Sequence, residues 1–428
     1  MTQKLSRRDF LKMAGASAAS LALASCGVKS TELPASTKTL TPSPTNTLIP
    51  TPSSTPEPSP TPEPTLRRVA DEKGVKLFNL VLYKAFTDNG YKEMALKSCN
   101  GLTVADSIGL AHDAVFKGID WNDILANWSK YEGMLDKGEV PFDEKLNWTS
   151  AEQRIQFAEQ NQMEVMAFHL IHGDEISDEI MAATKTKDDF SKIMKFTTKA
   201  RVLHFKNRIK IWSGPNEIIA HRLYDKGAFM NKVVDNELIH NMFVWLKEAD
   251  PNTIGLLSES NVVEATSQSP YQRIHDEYFK LLDYLIEKDS PVDGGGLHNH
   301  FWVYDPPKPD IVRAVIDEFK KRGKVAYATE TTVNLNPVYP LWKDRSKSVD
   351  TVTDPLESQA KIFVEMLDVF SSTGNIFGMF GITDAYSWYD EIETFGYAGA
   401  GAHLFDKNYQ EKPAYKQMLA YLTSLPNQ

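Results

Sequence analysis

The stretch RIKIWSGPNE, residues 208–217, decides the fold because an apolar run in it leads directly into polar residues. The run has the length and the branched and aromatic side chains of a buried β-strand, and Glu217 stands at its end. A second apolar run, at residues 325–328, leads in the same way into Glu330. Because α/β folds carry functional residues at the carboxyl ends of their strands, we expect both glutamates at one edge of a sheet.

Strand and helix patterns alternate through the body of the chain. The apolar runs predict strands at 164–173, 208–217, 253–261, 294–302, 325–331 and 378–388. Apolar residues at three- and four-residue spacing predict amphipathic helices at 188–205, 236–249, 271–288, 309–322 and 356–371. Two earlier strands are expected near 107–111 and 124–130.

Eight units of this kind predict an α/β fold, a (β/α)8 TIM barrel. The alternative is a doubly wound open sheet, but no Gly-rich phosphate-binding loop follows any of the predicted strands. Polar and aromatic residues collect where the strands end, at residues 216–217, 298–302, 330 and 384–388. In a TIM barrel that edge is the active face, so we expect the chemistry there.

The N-terminus predicts export and membrane attachment. Residues 6–12 read SRRDFLK, which is typical of a twin-arginine signal, and the apolar stretch at 13–24 is too short to span a bilayer. That stretch ends in LASC at 23–26, a pattern typical of a lipobox, so acylation of Cys26 is expected to anchor the protein outside the cytoplasm. The alternative is a plain cleavage site followed by an incidental cysteine. Residues 1–25 are therefore assigned to a signal peptide.

The next segment, residues 26–66, is predicted to be a disordered tether. Between 31 and 65 it is rich in Pro, Thr and Ser, with too few large apolar residues to build a core. Residues 67–428 contain no further linker and are assigned to one barrel domain, expected to be monomeric. The net charge of −10 argues against a nucleic-acid partner, and two cysteines cannot make a disulfide framework.

Two glutamates at strand ends suit the cleavage of a glycosidic bond. One carboxylic acid protonates the leaving oxygen while the other carboxylate attacks the anomeric carbon or activates water, and retaining enzymes hold the two about 5–5.5 Å apart. The alternative is a pair of ordinary surface glutamates at the start of loops. No cofactor is expected. His298 and His300 lie two apart on one strand without a third His or a Cys nearby in the sequence, so no metal site is predicted.

Several motifs between about residue 120 and residue 425 follow one another in an order that is typical of one enzyme family. The most specific are GITDAYSW at 381–388 and FDKNYQEKPAY at 405–415. Shorter ones are WSGPNE at 212–217, EADPN at 248–252, VDGGGLHNH at 292–300 and ATE at 328–330. Together they resemble glycoside hydrolase family 10, the endo-β-1,4-xylanase family. The resemblance implies a retaining hydrolase that cleaves internal β-1,4 linkages of xylan, or of a related polysaccharide, by double displacement.

The resemblance also implies roles for individual residues. Glu217 would be the acid/base and Glu330 the nucleophile, with His300 hydrogen-bonded to Glu330 to orient it. Asn216 would hydrogen-bond the sugar 2-hydroxyl, a contact that strengthens in the transition state. Trp388 would form a wall beside the sugar next to the cleaved bond.

The residues expected to bind the sugar on the glycone side depart from the family pattern. Asn127 and Lys130 resemble its Asn-x-x-Lys, with a solvated helix turn as the alternative. His172 and Phe380 stand where the family has tryptophans, and His298 stands where it has a glutamine. Because hydrogen bonds and aromatic stacking set sugar specificity, a different β-glycan remains a second hypothesis. A non-catalytic, sugar-binding surface lipoprotein is the third.

Overall fold

The apolar run before Glu217 forms one strand of a parallel barrel in the computed structural model, which describes residues 63–105, 115–173, 176–224, 229–264, 271–336, 352–391 and 400–426. These residues belong to one compact unit, Pro62–Gln428. The strands in the described ranges are β1 Leu77–Val81, β2 Gly101–Val104, β3 Glu164–Ala167, β4 Ile171–His172, β5 Ile211–Asn216, β6 Ile254–Ser260, β7 Gly294–Trp302, β8 Val325–Asn334 and β9 Phe377–Met379.

The strands close into a barrel in which every pair is parallel. The order is β3-β2-β1-β9-β8-β7-β6-β5-β4, and β3 also pairs with β5 through Met166 opposite Ile211. The two-residue strand β4 continues beyond β3 and lies beside the last residues of β5, with His172 opposite Asn216. Eight strands thus form the closed ring and β4 extends its upper edge, which confirms the predicted (β/α)8 barrel.

Helices alternate with these strands and close the outer layer. In the described residues they are Leu66–Glu72, Asn89–Ser98, Trp121–Ala126, Trp128–Asp136, Thr149–Gln160, Asp178–Ala183, Lys187–His204, Ile218–Tyr224, Met230–Val233, Asn236–Ala249, Gln272–Glu287, Pro309–Lys321, Pro355–Ser371, Trp388–Glu391 and Pro413–Ser424, with 3-10 turns at Asp143–Lys145 and Asp384–Tyr386. Their ends follow local rules. Thr186 and Asp189 form a capping box at the start of Lys187–His204, and Asp235 caps Asn236–Ala249 through the Leu238 N–H.

The five predicted helices are all present, but the strand predicted at 124–130 is not. Residues 124–130 are helical rather than extended, because Asp120 caps a helix whose Trp121 and Ile124 lie on its buried side. The segment 107–111 lies outside the described residues. The first two strands of the barrel are β1 and β2, which are short and buried along their whole length.

The last predicted strand, 378–388, was also too long. The extended part, β9, ends at Met379, and the Thr383 hydroxyl accepts from the Ala385 N–H to start a 3-10 turn. A short helix then begins at Trp388. The motif at 381–388 therefore forms a loop over the end of the barrel instead of a strand within it.

Two apolar layers support the barrel. Its inside is filled by side chains from several strands, among them Phe78, Met166, Ile211 and Leu256. A larger core lies between the strands and the helices. Close packing there explains the glycines that begin β7, because a Cβ at Gly295 would lie 2.4 Å from the Phe319 ring.

The first helix in the described ranges begins at Leu66, next to the expected domain start at residue 67. Leu66 is completely buried and opens the first described helix, and the Thr65 hydroxyl caps that helix by accepting from the Arg68 N–H. None of the helices in the described ranges is both long enough and apolar enough to cross a bilayer.

Candidate active site

Glu217 stands at the end of β5, where the chain turns into a helix. The strand ends at Asn216, the helix begins at Ile218, and Glu217 between them has φ of 52°, in the left-handed region. Its N–H donates to the Ser258 carbonyl of β6 (3.1 Å), which fixes the backbone at this turn. A β-carbon in this region is strained, and the strain is kept where neighbouring strands define the backbone. The turn directs the carboxylate toward the barrel axis and its histidines.

Glu330 occupies a more rigid place, within β8 and not after it. The strand continues to Asn334, and Glu330 pairs with His298 on β7. Only 6% of the Glu330 side chain is exposed. His300 Nε2 lies 3.2 Å from Glu330 Oε2, and His300 Nδ1 lies 3.0 Å from the Thr332 hydroxyl. This is the orienting contact that the family resemblance implies for His300.

His298 lies between the two carboxylates and contacts both. Its Nδ1 is 3.2 Å from Glu217 Oε1, within hydrogen-bonding geometry. Its Nε2 is 3.2 Å from Glu330 Oε1, although not aligned for a hydrogen bond. The two carboxylates predicted from separate strands therefore lie on opposite sides of one imidazole ring.

Three further histidines complete the cluster. His172 Nε2 on β4 lies 3.2 Å from Glu217 Oε2. His221 Nε2 lies 3.9 Å from the same oxygen, and His169 Nε2 lies 3.8 Å from Glu330 Oε1. No role was predicted for His221. The Glu-x-x-x-His spacing of Glu217 and His221 was a readable signal, because residues four apart share one face of a helix.

The histidines set the charge of the site. Burial raises the pKa of the Glu217 carboxyl, but hydrogen bonds and charge from His172 and His298 outweigh burial, and the pKa lies well below its usual range. Burial, with smaller contributions from His172 and His298, holds the pKa of His169 well below its usual range, so His169 is neutral at pH 7.

Glu259, on β6, is a second functional residue that the sequence analysis did not single out. Its Oε2 accepts from the Ile219 N–H (2.8 Å), at the start of the helix that follows Glu217, and its Oε1 accepts from the Ser260 N–H. Burial, and then the charge of Glu217, raise the pKa of Glu259 to about 8. A mostly protonated carboxyl at pH 7 therefore supports the backbone beside Glu217.

The amide of Asn216 is buried beside this cluster and is available for a ligand. Asn216 is 1% exposed, and among the described residues neither its oxygen nor its nitrogen has a hydrogen-bond partner. A buried amide without partners is unfavourable by roughly 1–3 kcal/mol, a penalty that a bound hydroxyl group would remove. The predicted role of Asn216 in binding a sugar hydroxyl fits this environment.

Aromatic rings line one side of the site. Phe380 contacts His300 and Trp388 edge-on, with ring centroids 5.6 and 6.0 Å apart. Trp388 also stacks on Tyr389 at 4.3 Å, and its indole N–H has no partner in the part of the chain that is described. Tyr389 is completely buried and therefore supports the Trp388 ring from behind.

The structure does not bring Asn127 and Lys130 into this cluster. Both are exposed, and they lie at the junction of Trp121–Ala126 and Trp128–Asp136. The Asn127 amide donates to Asp123 Oδ1 (2.7 Å), and Lys130 Nζ lies over the Tyr131 ring. Their described contacts are thus local, and the expected sugar-binding role of these two residues stays a prediction.

The fold also creates spacings that suit metal ligands. His172, Glu217 and His221 form one such group, and His298, His300 and Glu330 form another, each with ligand atoms within 4.8 Å of one another. No metal site was predicted because the residues of each group are not all neighbours along the chain. In the first group the ligands come from β4, from the residue after β5 and from the helix Ile218–Tyr224.

A closed parallel barrel with paired glutamates at its carboxyl edge defines a TIM-barrel glycoside hydrolase. The model described as "Glycosyl hydrolase family 10" matches residues 66–421, and the chain belongs to that family. Similar curated proteins are Endo-1,4-beta-xylanase B of Thermotoga neapolitana (25% identical; 64% of this chain and 74% of that protein) and a "Thermostable celloxylanase" of Thermoclostridium stercorarium (27%; 64% and 73%).

Solved structures agree. Xylanase 10B from Thermotoga petrophila RKU-1, in complex with xylobiose, is 25% identical and has a TM-score of 0.64, with 85% of this chain and 99% of that chain covered. Native xylanase 10B from Thermotoga maritima is 26% identical, with a TM-score of 0.61 and coverage of 84% and 98%. At the N-terminus, residues 4–24 match the twin-arginine translocation signal, which supports export by that route.

Proposed function

We propose that this glycoside hydrolase cleaves internal β-1,4 linkages of xylan with retention of configuration. Glu330 is the nucleophile and Glu217 the acid/base. The observation that carries the proposal is the pair of glutamates, one directly after β5 and one within β8, which contact one histidine, His298, at 3.2 Å each. The xylanase names of the relatives support xylan as the substrate.

In the first step of the proposed reaction, Glu330 attacks the anomeric carbon and Glu217 gives its proton to the leaving oxygen. A glycosyl ester on Glu330 and a shortened chain result. In the second step Glu217 takes a proton from water, the water oxygen attacks the anomeric carbon, and the Glu330 carboxylate leaves. Asn216 is placed to hold the 2-hydroxyl, and Trp388 to contact the sugar face.

The charge of the site bears on the first step. Glu217 must carry a proton to act as an acid, yet His172 and His298 hold its pKa well below the usual range. Only the fraction of molecules with Glu217 protonated can start the reaction, so activity is expected to fall as pH rises above the lowered pKa of Glu217. Substrate that displaces the His172 or His298 contact would raise this fraction.

A second specificity is favoured by one observation. His172 and His298 contact Glu217 directly at positions where the family pattern has Trp and Gln. The imidazole of His172 replaces an indole that could stack on a sugar, and the imidazole of His298 replaces a side-chain amide. Both changes alter the hydrogen bonds that the protein can make to the sugar on the glycone side. Hydrolysis of another β-glycan is therefore the alternative to xylan. The closed barrel counts against a two-lobed, non-catalytic binding protein.

The test is a comparison of polysaccharides with the full-length protein. Reducing-sugar release is measured on glucuronoarabinoxylan, unsubstituted xylan, mannan and mixed-linkage β-glucan, with Glu330→Gln as the matched inactive control. Release of xylo-oligosaccharides by the wild type alone supports the xylanase proposal. Faster release from mannan or β-glucan would move the specificity to that polymer, and equal release by Glu330→Gln would remove the assigned nucleophile.

We further propose that residues 1–25 are removed on export and that residues 26–66 tether the barrel to a membrane through acylated Cys26. A signal of this kind with a lipobox-like end and a Pro/Thr-rich segment supports this arrangement. The expected result is that wild-type protein fractionates with membranes while Cys26→Ser appears in the soluble exported fraction. Identical fractionation of both proteins would contradict the anchor.

A further inference from the structure

We propose that His172, Glu217 and His221 form a binding site for one divalent transition-metal ion of the zinc class, and that an ion bound there blocks hydrolysis. Glu217 is the shared ligand, so its carboxylate cannot bind the ion and donate a proton at the same time. The inhibitory part rests on the proposed hydrolytic function, whereas the binding part does not.

The ligand atoms already lie near the spacing that a small cation requires. Glu217 Oε2 is 3.2 Å from His172 Nε2 and 3.9 Å from His221 Nε2, and all three atoms lie within 4.8 Å of one another. Zinc holds nitrogen and oxygen ligands at about 2.0–2.2 Å, which puts neighbouring ligands of a tetrahedron about 3.3–3.6 Å apart. A small movement of the His221 ring would complete three corners and leave the fourth for water.

The backbone builds this arrangement from two elements. Glu217 and His221 are one helical turn apart, and the His221 N–H donates to the Glu217 carbonyl (3.2 Å), so both side chains share one helix face. His172 is delivered by β4, which pairs with Asn216. Gly173 leaves room for the second ring, because a Cβ there would lie 2.2 Å from His221 Cδ2.

The remaining oxygen of Glu217 is held as metal-ligating carboxylates usually are. His298 Nδ1 contacts Glu217 Oε1 at 3.2 Å and leaves Oε2 directed at the two other histidines. Such supporting contacts orient ligands and commonly change metal affinity by about 10–100-fold. The group is also accessible, with 13%, 24% and 20% of the His172, Glu217 and His221 side chains exposed.

The second group of potential ligands is less suitable. Only 2% of the His298 side chain and 6% of the Glu330 side chain are exposed, so less of this group is open to an ion than of the first group. Two imidazoles and one carboxylate select zinc, copper or nickel over magnesium and calcium, which prefer oxygen ligands. We therefore assign one ion per chain to the His172, Glu217 and His221 site.

Direct binding is the first test. Full-length protein carrying Cys26→Ser, which removes the acylation site and any unmodified thiol at this position, is dialysed against Zn²⁺, and bound metal is counted per chain. We expect one zinc ion, and affinity at least about tenfold weaker in both His172→Gln and His221→Gln. His275→Gln is the matched control, because His275 Nδ1 is also 3.2 Å from a carboxylate, Asp276, but on an outer helix. Unchanged affinity in both site variants, or equal loss in the control, would overturn the site.

Inhibition is measured on the same proteins. Zinc should lower the rate of xylan hydrolysis in proportion to its occupancy, EDTA should restore the rate, and Mg²⁺ should have no effect. His221→Gln should need at least about tenfold more zinc for the same inhibition. Full activity with the site occupied would overturn the inhibitory role. Absence of hydrolysis on every polysaccharide without metal would instead count against the proposed function, and dialysis would still decide the metal site.

Discussion

The strands β5 and β8 present a glutamate to the site in two different ways. Glu330 lies inside β8, with strand on both sides of it, and 6% of its side chain is exposed. Glu217 lies after β5 has ended, in left-handed backbone at the start of a helix, and 24% of its side chain is exposed. The position of Glu330 is therefore fixed by strand pairing, whereas the position of Glu217 depends on the side chains and backbone around it.

This difference matches the two proposed chemical roles. A nucleophile must be held in line with the anomeric carbon, and a paired strand gives that rigidity. An acid/base must change its protonation state during each cycle, so surrounding hydrogen bonds matter more than burial. At the β5 end those contacts come from His172, His298 and the helix start supported by Glu259.

The largest effect on the rate of hydrolysis is expected from a substitution of Glu330. Glu330→Gln keeps the shape of the side chain but removes its negative charge, so no glycosyl ester can form. The rate on xylan should fall at least about 10⁴-fold. The initial rate of reducing-sugar release measures this, with circular dichroism as the check on folding. A loss of less than tenfold in folded protein would show that Glu330 is not the nucleophile.

For a substitution of Glu217, the loss of rate should depend on the leaving group of the substrate. Glu217→Ala removes the proton donor, so the rate on xylan should fall by about 10²–10⁴-fold. An aryl xylobioside with an acidic phenol needs no proton to leave and should lose much less in the first step.

Added azide then distinguishes the two carboxylates. It should replace water in attacking the glycosyl enzyme of Glu217→Ala and give a xylobiosyl azide with the β configuration of the substrate. The product is identified by proton NMR. An α-azide from this variant would exchange the roles of Glu217 and Glu330.

A smaller effect is expected on the pH dependence. His172 and His298 hold the pKa of Glu217 down against the effect of burial, and the acid must be protonated to react. His298→Gln, or His172→Trp, removes part of this effect, so the alkaline limb of kcat/KM should move to higher pH. His275→Gln is the control and should leave the profile in place. A shift to lower pH in both variants would show that the histidines do not control Glu217.

The sequence predicted the barrel and both carboxylates because these depend on local patterns. Apolar runs that end in Glu217 and Glu330 are visible without the fold, and the motif at 405–415 identifies the family. The strands β1 and β2 were missed because they are only five and four residues long, and their stability comes from pairing with neighbours and complete burial.

The rest of the site depends on contacts across the chain. Nothing in the local sequence shows that His169 on one strand end approaches Glu330, 161 positions later, or that Glu259 supports the helix after Glu217. Asn127 and Lys130 were singled out from a short motif alone. Asp120 caps the helix before them and the Asn127 amide donates to Asp123, so their sugar-binding role stays a prediction.

The smallest effect is expected from Glu259 and concerns the free energy of unfolding. It tests how the backbone that follows β5 is stabilised. Its pKa rises from an ordinary 4.5 to about 8 through burial and the charge of Glu217, so folding favours the protonated form. The stabilising effect is complete below pH 4.5 and is lost as pH rises through about 8. Glu259→Gln keeps an oxygen that can accept from the Ile219 N–H but does not titrate. The free energy of unfolding in urea should therefore fall between those pH values in the wild type relative to Glu259→Gln. A constant difference between the two proteins would mean that Glu259 is ionised in the folded state, and that the helix start carries a full negative charge beside Glu217.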